Sequence, residues 1–237
     1  MAFLTVSKLG KNFGGIKALN ELTYDVKERS VLGVLGMNGS GKTTMLNCIN
    51  GIYNPDAGDI YFDGQRINDL ATHEIFELGI GRTFQVPKLF HKLTLLENLM
   101  VPLLNTELSD KEIAERSEVW LRRVNLWNLR YNFAEELSGG QQKLVEIARV
   151  MIAGPKLVLL DEPFAGVNPS LALLLIEVIS EMPSKDGCSV ILVSHDLTSV
   201  YRLSSSILVM HEGQKLAQGS AEEIKNNPEV IETYLGT

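Results

Sequence analysis

The sequence has little of several features that mark specialised classes of protein. Its only two cysteines, Cys48 and Cys188, include no CxxC pair, so neither a disulfide framework nor a zinc knuckle is expected. Two buried free thiols in a reducing compartment are the simpler interpretation. The longest apolar runs, such as residues 171–176, are far shorter than the roughly 18 residues that a membrane span needs. The first residues lack the basic and apolar segments of a signal peptide.

An excess of positive charge is also missing. The 22 Lys and Arg residues face 29 Asp and Glu residues, which gives a formal net charge of −7. This balance disfavours a dedicated nucleic-acid binder, because such proteins need a basic face to neutralise phosphates. With 237 residues, of which 45% are hydrophobic and 22% charged, the composition is that of a globular domain with a core. We therefore expect a cytoplasmic protein that binds no nucleic acid and reaches a membrane only through a partner.

Short apolar runs of the kind found in buried parallel strands recur along the chain. They are residues 31–35, 157–160 and 190–193, and residues 60–64 resemble a strand and turn. Helical segments lie between and after these runs, and Asn168 and Ser220 are suited to cap two of the helices. Because strands and helices alternate, the sequence predicts the α/β class.

Residues 87–154 differ from the rest, because they contain helix signals and almost no strand signals. Three capping boxes begin at Thr94, Ser109 and Ser138. Apolar residues between 86 and 104, among them Phe90, are explained by a helix that buries one face. The alternative is an apolar groove that receives a short helix of a membrane subunit. We predict a helical insert within the α/β core.

A glycine-rich segment after the first apolar run carries the clearest chemical signal. Residues 36–43 fit the pattern GxxxxGK[ST] and open a helix. Glycines let backbone N–H groups turn toward an anion, and the helix N-terminus adds a positive dipole. The sequence predicts a nucleoside triphosphate site, with Lys42 at the β- and γ-phosphates and the Thr43 hydroxyl on Mg²⁺; a glycine-rich turn with a surface lysine is the alternative. The nucleotide-binding candidates in this segment are Gly36, Asn38, Gly39, Ser40, Gly41, Lys42, Thr43 and Thr44.

Two carboxylates, Asp161 and Glu162, directly follow the apolar run 157–160. The carboxyl end of a parallel strand faces the crevice where α/β proteins bind ligands. Asp161 is suited to hold Mg²⁺ through water, and Glu162 is suited to act as the general base toward the attacking water. A surface pair of acids is the alternative.

The order of these motifs resembles the nucleotide-binding subunit of an ABC (ATP-binding cassette) transporter. The resemblance rests on residues 36–43, Gln85, the LSGGQ signature at residues 137–141, the run 157–162, and His195. The resemblance extends over essentially the whole chain and implies a single ABC ATPase domain at 1–237. Within it, the nucleotide-binding core is expected at 1–86 and 155–237, and a helical subdomain at about 87–154. The implied fold is a P-loop NTPase core, mostly parallel with flanking helices, with an antiparallel β subdomain and an α-helical insert.

The resemblance also implies roles for single residues. Gln85 is expected to contact Mg²⁺ and the attacking water, and His195 is expected to touch the γ-phosphate. The implied catalytic residues are therefore Glu162, His195 and Gln85. The implied Mg²⁺ ligands are Thr43, Gln85 and Asp161. Taken by itself, the sequence around His195 is that of a helix start. Phe13 occupies the position of a ring that stacks on adenine, with an ordinary core residue as the alternative. Four signature residues are expected to bind the ATP of a second protomer: Ser138, Gly139, Gly140 and Gln141.

Three segments resemble the ATPases that energise uptake of branched-chain or other hydrophobic amino acids. They are residues 13–19, 81–85 and 226–236. This branch implies transmembrane permease subunits, a second ATPase subunit that is identical or a paralogue, an indirectly associated substrate-binding protein, and a place on the inner face of the cell membrane. Residues 162–167 also resemble the ATPase of lipopolysaccharide export. A soluble ATPase of iron–sulfur assembly remains an alternative, as does a regulatory module that binds ATP without turnover.

Overall fold

Ten strands and nine α-helices lie within residues 3–235, the part of the chain that the computed structural model describes. The strands are β1 (Leu4–Phe13), β2 (Ile16–Val26), β3 (Val31–Gly36), β4 (Ala57–Phe62), β5 (Gln65–Arg66), β6 (Ile80–Arg82), β7 (Leu157–Asp161), β8 (Ser189–Val193), β9 (Ser206–His211) and β10 (Gln214–Gly219). The helices are α1 (Lys42–Ile49), α2 (Thr72–Glu77), α3 (Leu95–Met100), α4 (Asp110–Arg123), α5 (Gly139–Met151), α6 (Pro169–Lys185), α7 (Leu197–Leu203), α8 (Ala221–Lys225) and α9 (Pro228–Leu235). Gly236, the last residue of the resemblance noted above, lies outside the described residues.

The apolar runs form the centre of a six-stranded sheet with the order β10-β9-β3-β8-β7-β6. All neighbours in it are parallel except β9 and β10. Successive residues of β7 face opposite sides, since Leu157 and Leu159 belong to one apolar cluster whereas Val158 and Leu160 belong to another. The sheet is therefore covered on both faces, which explains why its strands are uniformly apolar rather than alternating.

A second sheet covers one of these faces. Its four strands are antiparallel in the order β2-β1-β4-β5, and Leu4 and Val6 of β1 share an apolar cluster with Leu32 and Val34 of β3. The predicted α/β class with a mostly parallel core and an antiparallel β subdomain is confirmed.

Within residues 87–154 the secondary structure consists of helices and short 3₁₀ turns joined by loops, apart from an isolated bridge between Thr94 and Phe133. The three predicted capping boxes are present, because the hydroxyls of Thr94, Ser109 and Ser138 each accept the backbone N–H three residues later. The helical interpretation of residues 86–104 is wrong at its start, because residues 86–94 form a loop and the helix begins at Leu95. Pro87 disfavours helical backbone at the residue before it, and the Thr94 cap fixes the later start.

The described helices lack the character of membrane spans. Among residues 3–235, none combines the length and the apolar composition that crossing a bilayer requires.

Candidate active site

The glycine-rich segment forms the turn between β3 and α1, with β3 ending at Gly36 and α1 beginning at Lys42. Two of its glycines have left-handed backbone, Gly39 with φ 82° and Gly41 with φ 98°. A Cβ on Gly41 would lie 2.5 Å from the carbonyl oxygen of Ala18. At Gly41 only glycine allows both the left-handed backbone and this close approach. The loop passes directly beneath β2 here, before the helix starts.

Lys42 is folded back over this loop. Its Nζ donates hydrogen bonds to the carbonyl oxygens of Gly36, at 2.7 Å, and Met37, at 2.9 Å. Burial lowers the pKa of the Lys42 ammonium below its usual value, and the negative charges of Glu162 and Asp161 oppose that shift. The lysine is thus a fixed cation beside two carboxylates.

An open pocket of about 620 Å³ lies over the loop and collects most of the predicted residues. Those that line it are Asn38, Gly39, Gly41, Lys42, Thr43, Thr44, Gln85, Asp161 and Glu162. Gly36 and Ser40 do not line it, because they are packed behind the loop, where a Cβ on Gly36 would lie 2.2 Å from the Ser40 hydroxyl. The nine predicted residues that line the pocket come from three separate stretches of the sequence, and the fold brings them together.

Six further residues line the pocket without having been predicted: Ile16, Lys17, Ala18, Asn20, Val193 and Glu212. Four of them lie on β2, and Glu212 lies in the turn between β9 and β10. Ile16, Lys17 and Ala18 belong to the segment 13–19, and Val193 ends the apolar run 190–193, but neither pattern predicts a place in this pocket. These residues reach it through the packing of β2, of the end of β8 and of this turn around the loop.

Asp161 is the last residue of β7 and is 3% exposed. Its Oδ2 accepts a hydrogen bond from Nη2 of Arg82 at 3.3 Å, while Nη1 of the same guanidinium donates to Oδ1 of Asn47 at 2.6 Å. Burial raises the pKa of the Asp161 carboxyl above its usual range, and the Arg82 guanidinium opposes that shift. Arg82 is therefore a functional neighbour that sequence reasoning missed, since it entered only as part of the segment 81–85.

Glu162 has left-handed backbone with φ 50°, which is uncommon for a residue with a Cβ. Its N–H donates to the carbonyl of Val193 at 2.9 Å, and its own carbonyl accepts from Nζ of Lys143 at 2.6 Å. These contacts hold the unusual turn in place.

The side chain of Glu162 meets His195. Its Oε2 lies 2.8 Å from Nδ1 of His195 and accepts the backbone N–H of the same residue at 3.3 Å. The imidazole is otherwise largely exposed, at 72%. The fold thus joins two predicted catalytic residues that are far apart in the sequence.

The signature residues do not line this pocket. Ser138 caps α5 by accepting the N–H of Gln141 at 3.4 Å, and Gly140 packs against Val167 and Leu171. Gly139 is exposed. The helix N-terminus at the signature is therefore not part of the lining of this pocket.

Phe13 also stands apart from the lining of the pocket. It ends β1, is 42% exposed, and packs edge-on against Tyr53 with 5.1 Å between ring centroids. Nζ of Lys11 lies 5.6 Å from the centroid of its ring. Phe13 is thus a surface aromatic rather than an ordinary core residue.

The donor set of the pocket fits a hard divalent cation such as Mg²⁺. Thr43, Gln85 and Asp161 offer hydroxyl, amide and carboxylate oxygens to one space, beside the cation of Lys42. Mg²⁺ in nucleotide sites uses one or two carboxylates together with phosphate oxygens. Chemically, the pocket can bind a phosphate chain and present the carboxylate of Glu162 to a water next to it.

Comparison with known proteins decides the family. A family model described as ABC transporter matches residues 19–165. The chain belongs to the ABC transporter family. It is therefore an ATPase, the ATP-binding and ATP-hydrolysing subunit of such a transporter. A second model, described as branched-chain amino acid ATP-binding cassette transporter, matches residues 214–237.

Two curated relatives are similar to this cassette over almost their full length. The high-affinity branched-chain amino acid transport ATP-binding protein BraF of Pseudomonas aeruginosa is 40% identical, covering 98% of this chain and 97% of its own. The probable branched-chain amino acid transport ATP-binding protein LivG of Archaeoglobus fulgidus is also 40% identical, covering 100% and 96%.

Solved cassettes share the fold. A nucleotide-free ATP-binding cassette from an ABC transporter superposes with a TM-score of 0.89 at 35% identity, over 100% of both chains. A dimeric post-hydrolysis cassette, MJ0796 bound to ADP and Pi, gives 0.84 at 28% identity, over 92% of this chain and 98% of that chain. The ABC cassette fold is confirmed at both levels of identity.

Proposed function

We propose that this ABC ATPase powers the uptake of branched-chain or other hydrophobic amino acids. The observation that carries the ATPase chemistry is the single pocket lined by Lys42, Gln85, Asp161 and Glu162. The substrate class rests on the C-terminal match at residues 214–237 and on both curated relatives, whose names specify branched-chain amino acid transport. These similarities favour amino acid uptake over lipopolysaccharide export or iron–sulfur assembly.

Within this proposal, each pocket residue has a role. The N–H groups of the glycine-rich loop and the ammonium of Lys42 bind the β- and γ-phosphates of ATP. Thr43, Gln85 and Asp161 hold Mg²⁺, which when bound neutralises charge on the phosphate oxygens. Glu162 accepts a proton from the attacking water, and His195 orients that carboxylate through its 2.8 Å contact.

A second ATPase subunit completes the site. Because Ser138, Gly139, Gly140 and Gln141 do not line the chain's own pocket, their helix N-terminus is free to meet the γ-phosphate of ATP held by a partner. The dimeric MJ0796 cassette supports an arrangement of two copies. ATP bound between two subunits would then favour a closed dimer, and loss of the γ-phosphate would open it.

Permease subunits are proposed to dock beside Gln85, on the inner face of the cell membrane. Apolar side chains are exposed there, with Val86 at 69%, Phe90 at 49% and Phe76 at 41%. Phe76 and Phe84 also line a neighbouring groove of about 540 Å³. An apolar patch of this kind suits a short helix of a membrane protein.

The docking proposal makes a specific prediction for Phe90. Phe90→Asp places a charge in the apolar patch and is expected to release the protein from membranes while ATP binding stays unchanged. The matched control is Val119→Asp, which changes a similarly exposed residue on α4. Fractionation of cell membranes measures both variants, and full recovery of Phe90→Asp with the membranes would refute the docking site.

Transport of radiolabelled leucine tests the proposed function directly. Cells that lack this chain should regain ATP-dependent leucine uptake when supplied with the wild-type protein, but not with Glu162→Gln. Equal leucine uptake with and without the chain would rule out this substrate class. It would leave the assignment as an ABC ATPase intact.

A further inference from the structure

Glu146 lies on α5, the helix that begins at the signature, and takes no part in the pocket described above. It is 1% exposed. Its Oε2 accepts the backbone N–H of Phe84 at 3.2 Å, and its Oε1 accepts the backbone N–H of Lys88 at 2.7 Å. The two amides stand on either side of Gln85, so one carboxylate holds both ends of the segment that carries Gln85.

Burial of this carboxylate is costly, which argues that its contacts matter. Burial raises the pKa of Glu146 above its usual range, while the two amides and the nearby charges of Arg149 and Lys143 favour the ionised form. A charge in such a place persists only when hydrogen bonds compensate for lost hydration. Both carboxylate oxygens of Glu146 accept hydrogen bonds from the loop around Gln85, and neither accepts one from helix α5 itself.

Two other residues of α5, Lys143 and Arg149, contact Glu162 and the segment that carries Gln85. Nζ of Lys143 donates to the carbonyl of Glu162 at 2.6 Å. The guanidinium of Arg149 donates to the carbonyl of Lys88 and lies 5.5 Å from the ring centroid of Phe90. Helix α5 is therefore tied to Glu162 on one side of the pocket and to the Gln85 segment on the other.

We propose that Glu146 is a positioning residue that sets the place of Gln85 relative to Asp161 and makes Gln85 follow movements of α5. Any displacement of α5 by a ligand on the signature at its N-terminus is passed to Gln85 through the two amide hydrogen bonds. This inference rests on the proposed role of Gln85 in holding Mg²⁺.

Glu146→Gln tests the proposal with little change of shape. A Gln side chain has one acceptor oxygen, so one of the two amides loses its partner. We expect kcat for ATP hydrolysis by the purified chain to fall about tenfold, as for other residues that orient metal-site ligands. The KM for ATP should stay unchanged, and the half-saturating Mg²⁺ concentration should rise. Glu146→Asp keeps two acceptors and should restore part of the rate.

A control and a double variant separate positioning from general loosening. Ile147→Val removes a methylene from the adjacent buried residue, and should lower the melting temperature without moving the Mg²⁺ requirement. If Glu146 acts through Gln85, then Gln85→Ala with Glu146→Gln should be no slower than Gln85→Ala by itself. The inference would be overturned if the rate losses of the two single variants multiplied in the double variant. An unchanged Mg²⁺ requirement in Glu146→Gln would also overturn it.

The same series distinguishes failure of the premise. A slow Gln85→Ala together with a wild-type Glu146→Gln overturns the role of Glu146 and leaves the role of Gln85 standing. A wild-type rate in Gln85→Ala overturns the proposed role of Gln85 and this inference with it. Neither result bears on leucine transport, which is measured separately in cells.

Discussion

Single residues in the pocket depend on charges supplied by distant parts of the chain. Asp161 is paired with Arg82, 79 residues away, and Glu162 meets His195, 33 residues away. The cation of Lys42 lies between these acids and the carbonyls of its own loop. Each of these pocket side chains is thus held in place by hydrogen bonds or ion-pair contacts within the chain.

Lys42→Ala should weaken ATP binding without unfolding the chain. A charged hydrogen bond contributes about 1.5–3 kcal/mol, so the Kd for ATP should rise on the order of 10- to 100-fold. Titration with a fluorescent ATP analogue measures the change, with Lys92→Ala as the control because Lys92 is a surface lysine. An unchanged Kd in Lys42→Ala would contradict the phosphate role of this lysine.

The two thiols should be inert in the folded protein. Cys48 and Cys188 are free and buried, and burial raises the pKa of Cys48 to about 11 and of Cys188 to about 12. Because the thiolate is the reactive form, and it is scarce at pH 8 when the pKa is raised, neither should react with a thiol reagent until the chain unfolds. Rapid labelling of the native protein at pH 8 would refute this.

Residues with a local signature were predictable, and those that act over long distances were not. The glycine-rich loop, Asp161 and Glu162 each stand in a short pattern with a physical meaning. Arg82 and Glu146 carry no such pattern, because their partners are 79 and 62 residues away along the chain. Only the fold shows that Arg82 contacts Asp161 and that Glu146 contacts the loop around Gln85.

At the scale of elements, side-chain caps mark where several of the helices begin, among them α3, α4, α5 and α6. Asn168 caps α6 by accepting the N–H of Leu171 at 3.0 Å and the hydroxyl of Ser170 at 3.2 Å. Thr94 starts α3 in the same way, which is why the apolar loop before it stays irregular. Caps were visible in the sequence, whereas the path of residues 86–94 depends on tertiary contacts such as the amide of Phe90 on Oδ1 of Asn98.

Asn168→Ala should lower the free energy of unfolding by about 1 kcal/mol, the usual cost of a lost N-cap. Asn168→Asp keeps an acceptor at the same place and should leave the stability close to that of the wild type. Urea denaturation followed by circular dichroism measures both variants. Equal loss in the two would show that the side chain acts through something other than the cap.

At the scale of the whole molecule, the fold keeps the signature out of the lining of the pocket. The P-loop pocket lies between the two sheets and the ends of β3 and β7, while the signature begins α5 outside that pocket. Both the glycine-rich loop and the signature were predicted from the sequence. That the signature does not line the pocket is a property of the fold, and it is the observation behind the proposed second ATPase subunit.

ATP-dependent dimerisation of Glu162→Gln tests this arrangement most directly. Removal of the carboxylate proposed as general base should slow hydrolysis and keep the γ-phosphate between Lys42 of one protomer and Ser138 of its partner. Light scattering coupled to size exclusion should therefore show a dimer of Glu162→Gln with ATP and Mg²⁺, and a monomer with ADP. Adding Ser138→Arg to this variant should abolish the dimer. A variant that binds ATP tightly yet stays monomeric at every protein concentration would contradict a site shared between two copies.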